Sequence, residues 1–148
     1  MQVHKIISGG QTGADIAGLK FAKDHGIATG GWAPKDYLTE EGKKPELKEL
    51  YNLQEQTGVY SYRTVQNVMD SDGTAIFVEN ISGGSLLTIQ TCQKENKPYV
   101  LNPTIEQFLK FVSNNNIKIL NIAGDRESDS PGIGQKVYEF LLSTLGKE

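Results

Sequence analysis

The chain has a single cysteine, Cys92, and only two histidines, His4 and His25, which lie far apart. No internal disulfide can form, and no Cys/His group has zinc-ligand spacing, so a disulfide scaffold and a structural zinc site are both excluded. Long apolar runs are missing too: nothing approaches the roughly 18 consecutive residues a membrane-spanning helix requires. The segment Met1 to Gly10 lacks the apolar core and cleavage site of a secretory leader, so the expectation is a cytoplasmic protein with no membrane partner. Excess positive charge is also absent. Fifteen Lys and Arg stand against eighteen Asp and Glu, a net charge of -3. That removes the long-range attraction used by nucleic-acid binders, so no nucleic acid is expected and any anionic ligand must be held by local groups.

At 148 residues the chain has the length of one domain and can bury about 68–70% of its unfolded surface without a covalent or metal staple. With 37% hydrophobic and 22% charged residues it falls among globular sequences. Sixteen glycines are distributed unevenly, ten of them in or beside short loops that follow apolar runs.

Strand and helix signals alternate, which is what a mostly parallel sheet with crossover helices needs. Val3 to Ser8, a weaker Ile27 to Gly31, Thr74 to Glu79, Lys97 to Leu101 and Ile117 to Ala123 read as strands. The third has the continuous apolar run of a strand covered on both faces. Between them the spacing predicts helices over Ala14 to His25, closed by Gly26, and over Tyr60 to Asp70 with Val65, Val68 and Met69 on one side. Others follow over Ser85 to Glu95 and after a Thr104/Gln107 capping box. A last helix, started by Ser130 and Pro131, runs to about Leu145. The fold class is therefore α/β, a Rossmann-like three-layer sandwich over residues 1–148, with a polar, partly helical insertion at about 35–57 placed as a flap over the strand ends.

In an open parallel sheet, ligands bind beyond the carboxyl ends of the strands, where loops run into helix N-termini. Three loops have suitable composition. Ser8-Gly9-Gly10-Gln11-Thr12-Gly13-Ala14-Asp15 offers glycines, hydroxyls and a helix start, without the G-x-G-x-x-G order of a dinucleotide loop. Ser82-Gly83-Gly84-Ser85, with Thr88 one turn on, repeats the scheme after the most apolar strand. Gly124-Asp125-Arg126-Glu127-Ser128 ends the last strand. Only two of the fifteen basic residues are arginine, Arg63 and Arg126, and the topology places both near this edge, Arg63 with Thr64 and Asn67 on its helix. Their planar forks suit phosphate or carboxylate; for Arg126 the alternative is a structural pair with Asp125 or Glu127. Trp32 could stack on a flat ring with Lys35 pairing an anion, or could anchor the core. Of the acidic residues near the edge (Asp15, Asp70, Asp72, Glu79, Asp125, Glu127), no pair announces a general base by spacing.

These residues, together with Gly30-Gly31-Trp32-Ala33-Pro34-Lys35, Tyr62-Arg63-Thr64, Asn67-Val68 and Ser130-Pro131-Gly132-Ile133, resemble in order and over nearly the whole length the family called putative molybdenum carrier proteins. That family is similar in fold to the Rossmann-like nucleotide-sensing group that includes cytokinin-activating phosphoribohydrolases. The resemblance implies a homodimer or homotetramer holding molybdenum cofactor or another phosphorylated heterocycle without transforming it, and with no metal ligated directly by protein. Two departures stand out. Asp36-Tyr37-Leu38-Thr39 replaces an expected basic stretch, and Ala33 sits where a cysteine is common. The phosphoribohydrolase relatives carry P-G-G-x-G-T-x-x-E; here Ile81 to Ile89 has no glutamate at the matching place. The expected function is a binding protein whose glycine loops hold a phosphate at the strand ends. The alternative is an N-glycosidic hydrolase using Glu79, Glu127 or an aspartate, and the third possibility is an oligomeric interaction module.

Overall fold

The computed structural model describes residues 2–146. Five parallel strands form the central sheet: β1 (Lys5–Ile7), β2 (Ala28–Gly30), β7 (Gly73–Phe77), β8 (Tyr99–Leu101) and β9 (Ile119–Gly124). Their order is β2-β1-β9-β7-β8, so the last strand lies in the middle, between β1 and β7. Helices α1 (Ala14–Asp24), α5 (Ile105–Asn114) and α6 (Ile133–Thr144) cover one face, while α3 (Tyr62–Met69) and α4 (Gly83–Lys94) pack together on the other. This is the Rossmann-like three-layer arrangement. No helix among the described residues is long and apolar enough to cross a membrane.

The alternation of side chains along β7 builds both cores. Ala75 and Phe77 point to the α1/α5/α6 side, where Phe21, Phe108, Leu120, Ile122, Val137 and Leu141 fill the space. Phe140 links Phe77 and Phe108 by edge-on contacts at 5.4 and 5.3 Å. Ile76 and Val78 point the other way, against Ile89 of α4. Every residue of β7 is buried, as its uninterrupted apolar run requires.

Element types match the expectations from sequence, and the differences lie at boundaries. The Thr104/Gln107 capping box forms as expected: Gln107 N–H donates to Thr104 Oγ1 at 3.1 Å, and Thr104 N–H donates to Gln107 Oε1 at 2.9 Å. Helix α4 starts two residues early, at Gly83, after Ser82. Helix α6 does not start at Ser130-Pro131 but at Ile133, behind Gly132 in a left-handed conformation at φ 93°. The reason is a cap supplied from upstream. Glu127 accepts N–H bonds from Gly132 at 2.6 Å and Gly134 at 3.1 Å, satisfying two amides of the first turn with a negative charge at the positive end of the helix. Ser130 is instead drawn to Asp125, its hydroxyl donating to Oδ2 at 2.6 Å. On α3 the expected shared side for Val65, Val68 and Met69 is not kept: Val68 is buried, while Met69 is 42% exposed.

The segment at 35–57 follows β3 (Trp32–Pro34) and contains a 3-10 turn at Lys35–Tyr37 and a hairpin of β4 (Leu38–Thr39) with β5 (Gly42–Lys43). Then come α2 (Leu47–Tyr51) and β6 (Gln54–Gln56), which pairs in parallel with β3. It has a small core of its own: Tyr37, Leu47 and Leu53 pack with Ala33 against Leu19 of α1. The segment sits on α1 and on the first glycine loop at the carboxyl end of β1.

Truncating Phe21 to Ala in the main core should cost about 3–5 kcal/mol, whereas Leu109→Ala on the exposed side of α5 should stay within about 0.5 kcal/mol. Urea denaturation of the two variants checks the assignment of the core face.

Candidate anion-binding site

Placing β9 between β1 and β7 brings three loops together at the carboxyl edge. The loops after β1 and β9 interlock: Ala14 N–H donates to Asp125 O at 3.1 Å, and Glu127 N–H donates to Thr12 Oγ1 at 3.2 Å. Gly13, at φ 82°, passes so close to the Asp125 carbonyl that any side chain would strike it. Asp125 also reaches the loop after β7, its Oδ2 accepting Glu79 N–H at 2.9 Å.

A cavity of about 290 Å³ opens between these loops. Of the residues expected at the site, Gln11, Arg63, Thr64, Gly83, Gly84, Ser85, Thr88, Gly124 and Arg126 line it, joined by Asp15, Tyr60, Ser82, Asp125 and Asp129. The first and second glycine loops therefore meet in one space. Gly9 and Asn67 border a small recess of about 30 Å³ that shares Arg63, Thr64 and Thr88 with the cavity. Gly10 and Thr12 turn the other way and line a separate hollow under the 35–57 segment.

The floor is an ion pair. Arg63 NH1 stands 3.5 Å from Asp15 Oδ2, with the two side chains 14% and 7% exposed. Gly9 is the residue across which Arg63 lies; a Cβ there would occupy the place of NH1. Burial pushes the Asp15 carboxyl up to about 6, against the pull of Arg63 and of the Gln11 and Gly9 amides. The Arg63 Nε is buried without a hydrogen-bond partner among the described residues. Gln11, 7% exposed, spends its carbonyl on the amides of Thr12 and Glu40, both at 2.9 Å, while its NH2 group has no acceptor among the described residues. Gly83 and Gly84 open α4 with amides that have no hydrogen-bond partner among the described residues, and Ser85 Oγ is engaged with Ser82. Arg63, Gln11, Gly83 and Gly84, each with a donor left unpaired among the described residues, thus line a single space.

Several expected residues do other work. Trp32 lies outside the cavity, its indole N–H donating to Asp70 Oδ2 at 2.8 Å. Lys35 is exposed in the 3-10 turn and also lies outside. Asn67 clamps the Trp32 backbone, accepting its N–H at 2.8 Å and donating to its carbonyl at 3.0 Å. Ser8 Oγ donates to Asp15 O at 2.9 Å. Arg126 pairs with Asp129 at 3.2 Å and reaches Glu40 at 3.9 Å rather than pairing with Asp125 or Glu127. Of the proposed hydrolytic carboxylates, Glu127 caps α6 and Glu79 does not line the cavity.

Sequence reasoning gave no role to Glu40. Its carboxylate accepts the hydroxyls of Thr12 and Ser128, and its pKa is held below the usual value by the Ser128 bond first and the Thr12 bond second. No motif marks it, because its partners are 28 and 88 residues away. Asp15 stands among the acidic residues that the sequence places near this edge, but no spacing marks its pairing with Arg63, 48 positions away.

A parallel α/β sheet with a loop-lined cavity at its strand ends defines the class of protein. The family model described as "Circularly permutated YpsA SLOG family" matches residues 6–145, and the chain belongs to that family. It is also similar to the solved structure of the "Putative molybdenum carrier protein" from Syntrophus aciditrophicus SB. The two are 43% identical over 97% of this chain and 96% of that one, with a TM-score of 0.88. The molybdenum carrier-like group indicated by the sequence is thus the right one. No curated protein matches the chain.

The raised Asp15 pKa fixes a sign. The native state holds this proton more tightly than the unfolded chain, so the contribution of Asp15 to stability is present below its unfolded value of 3.8 and lost as pH rises through about 6. Relative to Asp15→Asn, the wild type should lose about 3 kcal/mol between pH 3.5 and pH 7. Parallel urea titrations that kept a constant gap between the two proteins would refute this.

Proposed function

We propose that this protein is a carrier-like binding protein that holds a phosphorylated small molecule at the carboxyl ends of the strands. The supporting observation is the gathering on one cavity of residues with unpartnered donors: Arg63, Gln11 through its NH2 group, and Gly83 and Gly84 through their amides. A phosphate would accept from the Gln11 NH2 group, the Gly83 and Gly84 amides and the Arg63 guanidinium, with the α4 N-terminus adding its positive end. Arginine supplies the planar donor set, and Tyr60, whose ring lies 5.2 Å from the Arg63 guanidinium, offers a flat surface at the rim for a heterocycle.

The charge balance narrows the ligand. Asp15, Asp125 and Asp129 line the cavity with only Arg63 and Arg126 to offset them. Such a lining favours one phosphate seated on the donors and resists a chain of phosphates. Molybdenum cofactor and a nucleotide-like monophosphate each carry a single phosphate beside a heterocycle, and the donors suit that end of either. When bound, molybdenum cofactor would supply the metal and its sulfur ligands itself, and the protein would contribute the phosphate seat.

A second reading is supported by Asp15. It is a carboxyl inside the cavity with a pKa of about 6, suited to proton transfer near neutral pH. On that reading the chain cleaves the N-glycosidic bond of a nucleotide. Release of free base from nucleoside monophosphates, abolished by Asp15→Asn, would establish it.

Thermal shift against molybdenum cofactor, nucleoside monophosphates and inorganic phosphate tests the binding reading. A ligand at about 100 times its Kd should raise Tm by about 5–10 °C. Arg63→Ala should remove the shift. So should Gly84→Leu, with little folding penalty, because a Cβ there meets no atom within 4 Å and the backbone needs no positive φ. A shift that survived both substitutions, or no shift with any phosphorylated heterocycle, would end the proposal.

A further inference from the structure

Asp15 is the acid of the cavity that lies against its buried cation. Its Oδ2 is 3.5 Å from Arg63 Nη1 and accepts the Gln11 N–H at 3.2 Å. The other charged and titratable groups of the cavity are engaged elsewhere. Asp125 Oδ2 accepts the Ser130 hydroxyl and the Glu79 N–H, and the half-exposed Arg126 pairs with Asp129 at 3.2 Å. Tyr60 accepts from Arg63 Nη2 at 3.3 Å, on the far side of the guanidinium fork from Nη1. Helix α4 brings only glycine, serine and threonine to the space, and neither histidine lines it. On α1 itself the next charge is Lys20, which does not line the cavity, and Glu40 is held outside it by Thr12 and Ser128.

One buried guanidinium thus faces two claims, that of the Asp15 carboxylate and that of any oxyanion drawn to Arg63. Two negative groups sharing one cation out of water repel each other, and a single proton between them removes the repulsion, as it does for two carboxylates in one site. An ionised carboxylate only accepts hydrogen bonds, so it meets an oxyanion favourably only across an O–H. That proton arrives on the ligand or comes from solvent. Hydrogen phosphate brings one. A phosphate monoester, whose second pKa is about 6, takes one up near neutrality. Sulfate has the same shape and charge as hydrogen phosphate but carries no proton.

We propose that Asp15 is a specificity-determining residue: one proton shared between its carboxyl and the bound oxyanion makes the cavity accept phosphoryl groups and reject sulfuryl groups above neutral pH. This rests on the reading of the cavity as a phosphate site and states which tetrahedral anion that site admits. Burial already carries the Asp15 pKa to about 6 against the pull of Arg63, and a second negative charge beside it moves the same group further up. Hydrogen phosphate binds ionised Asp15 with no net proton exchange. Sulfate binds only with one proton taken from solvent per site.

Titration calorimetry of the full chain with inorganic phosphate and with inorganic sulfate, from about pH 6.5 to about pH 8, tests this. The sulfate affinity of the wild type should fall at least about tenfold over that range, while the phosphate affinity holds or rises. At the upper end phosphate should bind at least about tenfold more tightly than sulfate. In Asp15→Asn, whose side chain is neutral at every pH and can donate, sulfate affinity should vary by less than about threefold and the preference for phosphate should shrink to about threefold or less. A wild-type sulfate affinity indifferent to pH overturns the proposal, and so does a phosphate preference that survives Asp15→Asn; both leave the phosphate site standing. The wild-type pH profile decides alone if the variant does not fold. Binding of neither anion at any pH overturns the phosphate site itself, and this inference with it.

Discussion

The insertion of β9 between β1 and β7 is the constraint from which the site follows. Because the last strand of the chain pairs with Lys5–Ile7 on one side and Gly73–Phe77 on the other, the loop leaving it must emerge between the two glycine loops. There it is stitched to both, through Gly13 and Thr12 on one side and through Asp125 to Glu79 on the other. Parallel strands present all three loops at the same edge, and the helices that follow direct their first amides toward it. Removing that adjacency would leave three unrelated turns.

Within this frame the buried pair of Arg63 and Asp15 sets the electrostatics. A desolvated guanidinium with an unpartnered Nε is costly unless something pairs with it, and Asp15 meets only part of that demand at 3.5 Å. The same desolvation raises the Asp15 pKa, so the pair sits close to the point at which its own charge changes. The internal compensation of the pair is therefore incomplete. Around it, Glu40 ties the 35–57 segment to the first and third loops, so the walls are held by contacts that no part of the ligand has to supply.

The two outer layers divide the remaining work. The α1/α5/α6 side carries the larger aromatic core and a charged exterior, as a solvated surface should. The α3/α4 side carries a thinner core around Ile76, Val78 and Ile89 and an exterior nearly without charge. The cavity opens on the boundary between these two environments.

Hydrophobic periodicity and glycine placement in the sequence were enough to determine the α/β class, the strand and helix alternation, and the loops that carry the cavity. These are local signals, and the backbone cannot evade them: an uncharged run such as residues 73–78 has to be covered on both faces, and Gly13 has to take a positive φ. The strand order, the partners of Arg126, the diversion of Trp32 to Asp70 and of Glu127 to the α6 amides, and the part played by Glu40 were decided only by tertiary structure. The physical reason is separation along the chain. Each of those outcomes depends on which distant groups come within hydrogen-bond reach, as Ser128 and Glu40 do across 88 positions, and a side chain's type fixes what it can bond but not what it will meet.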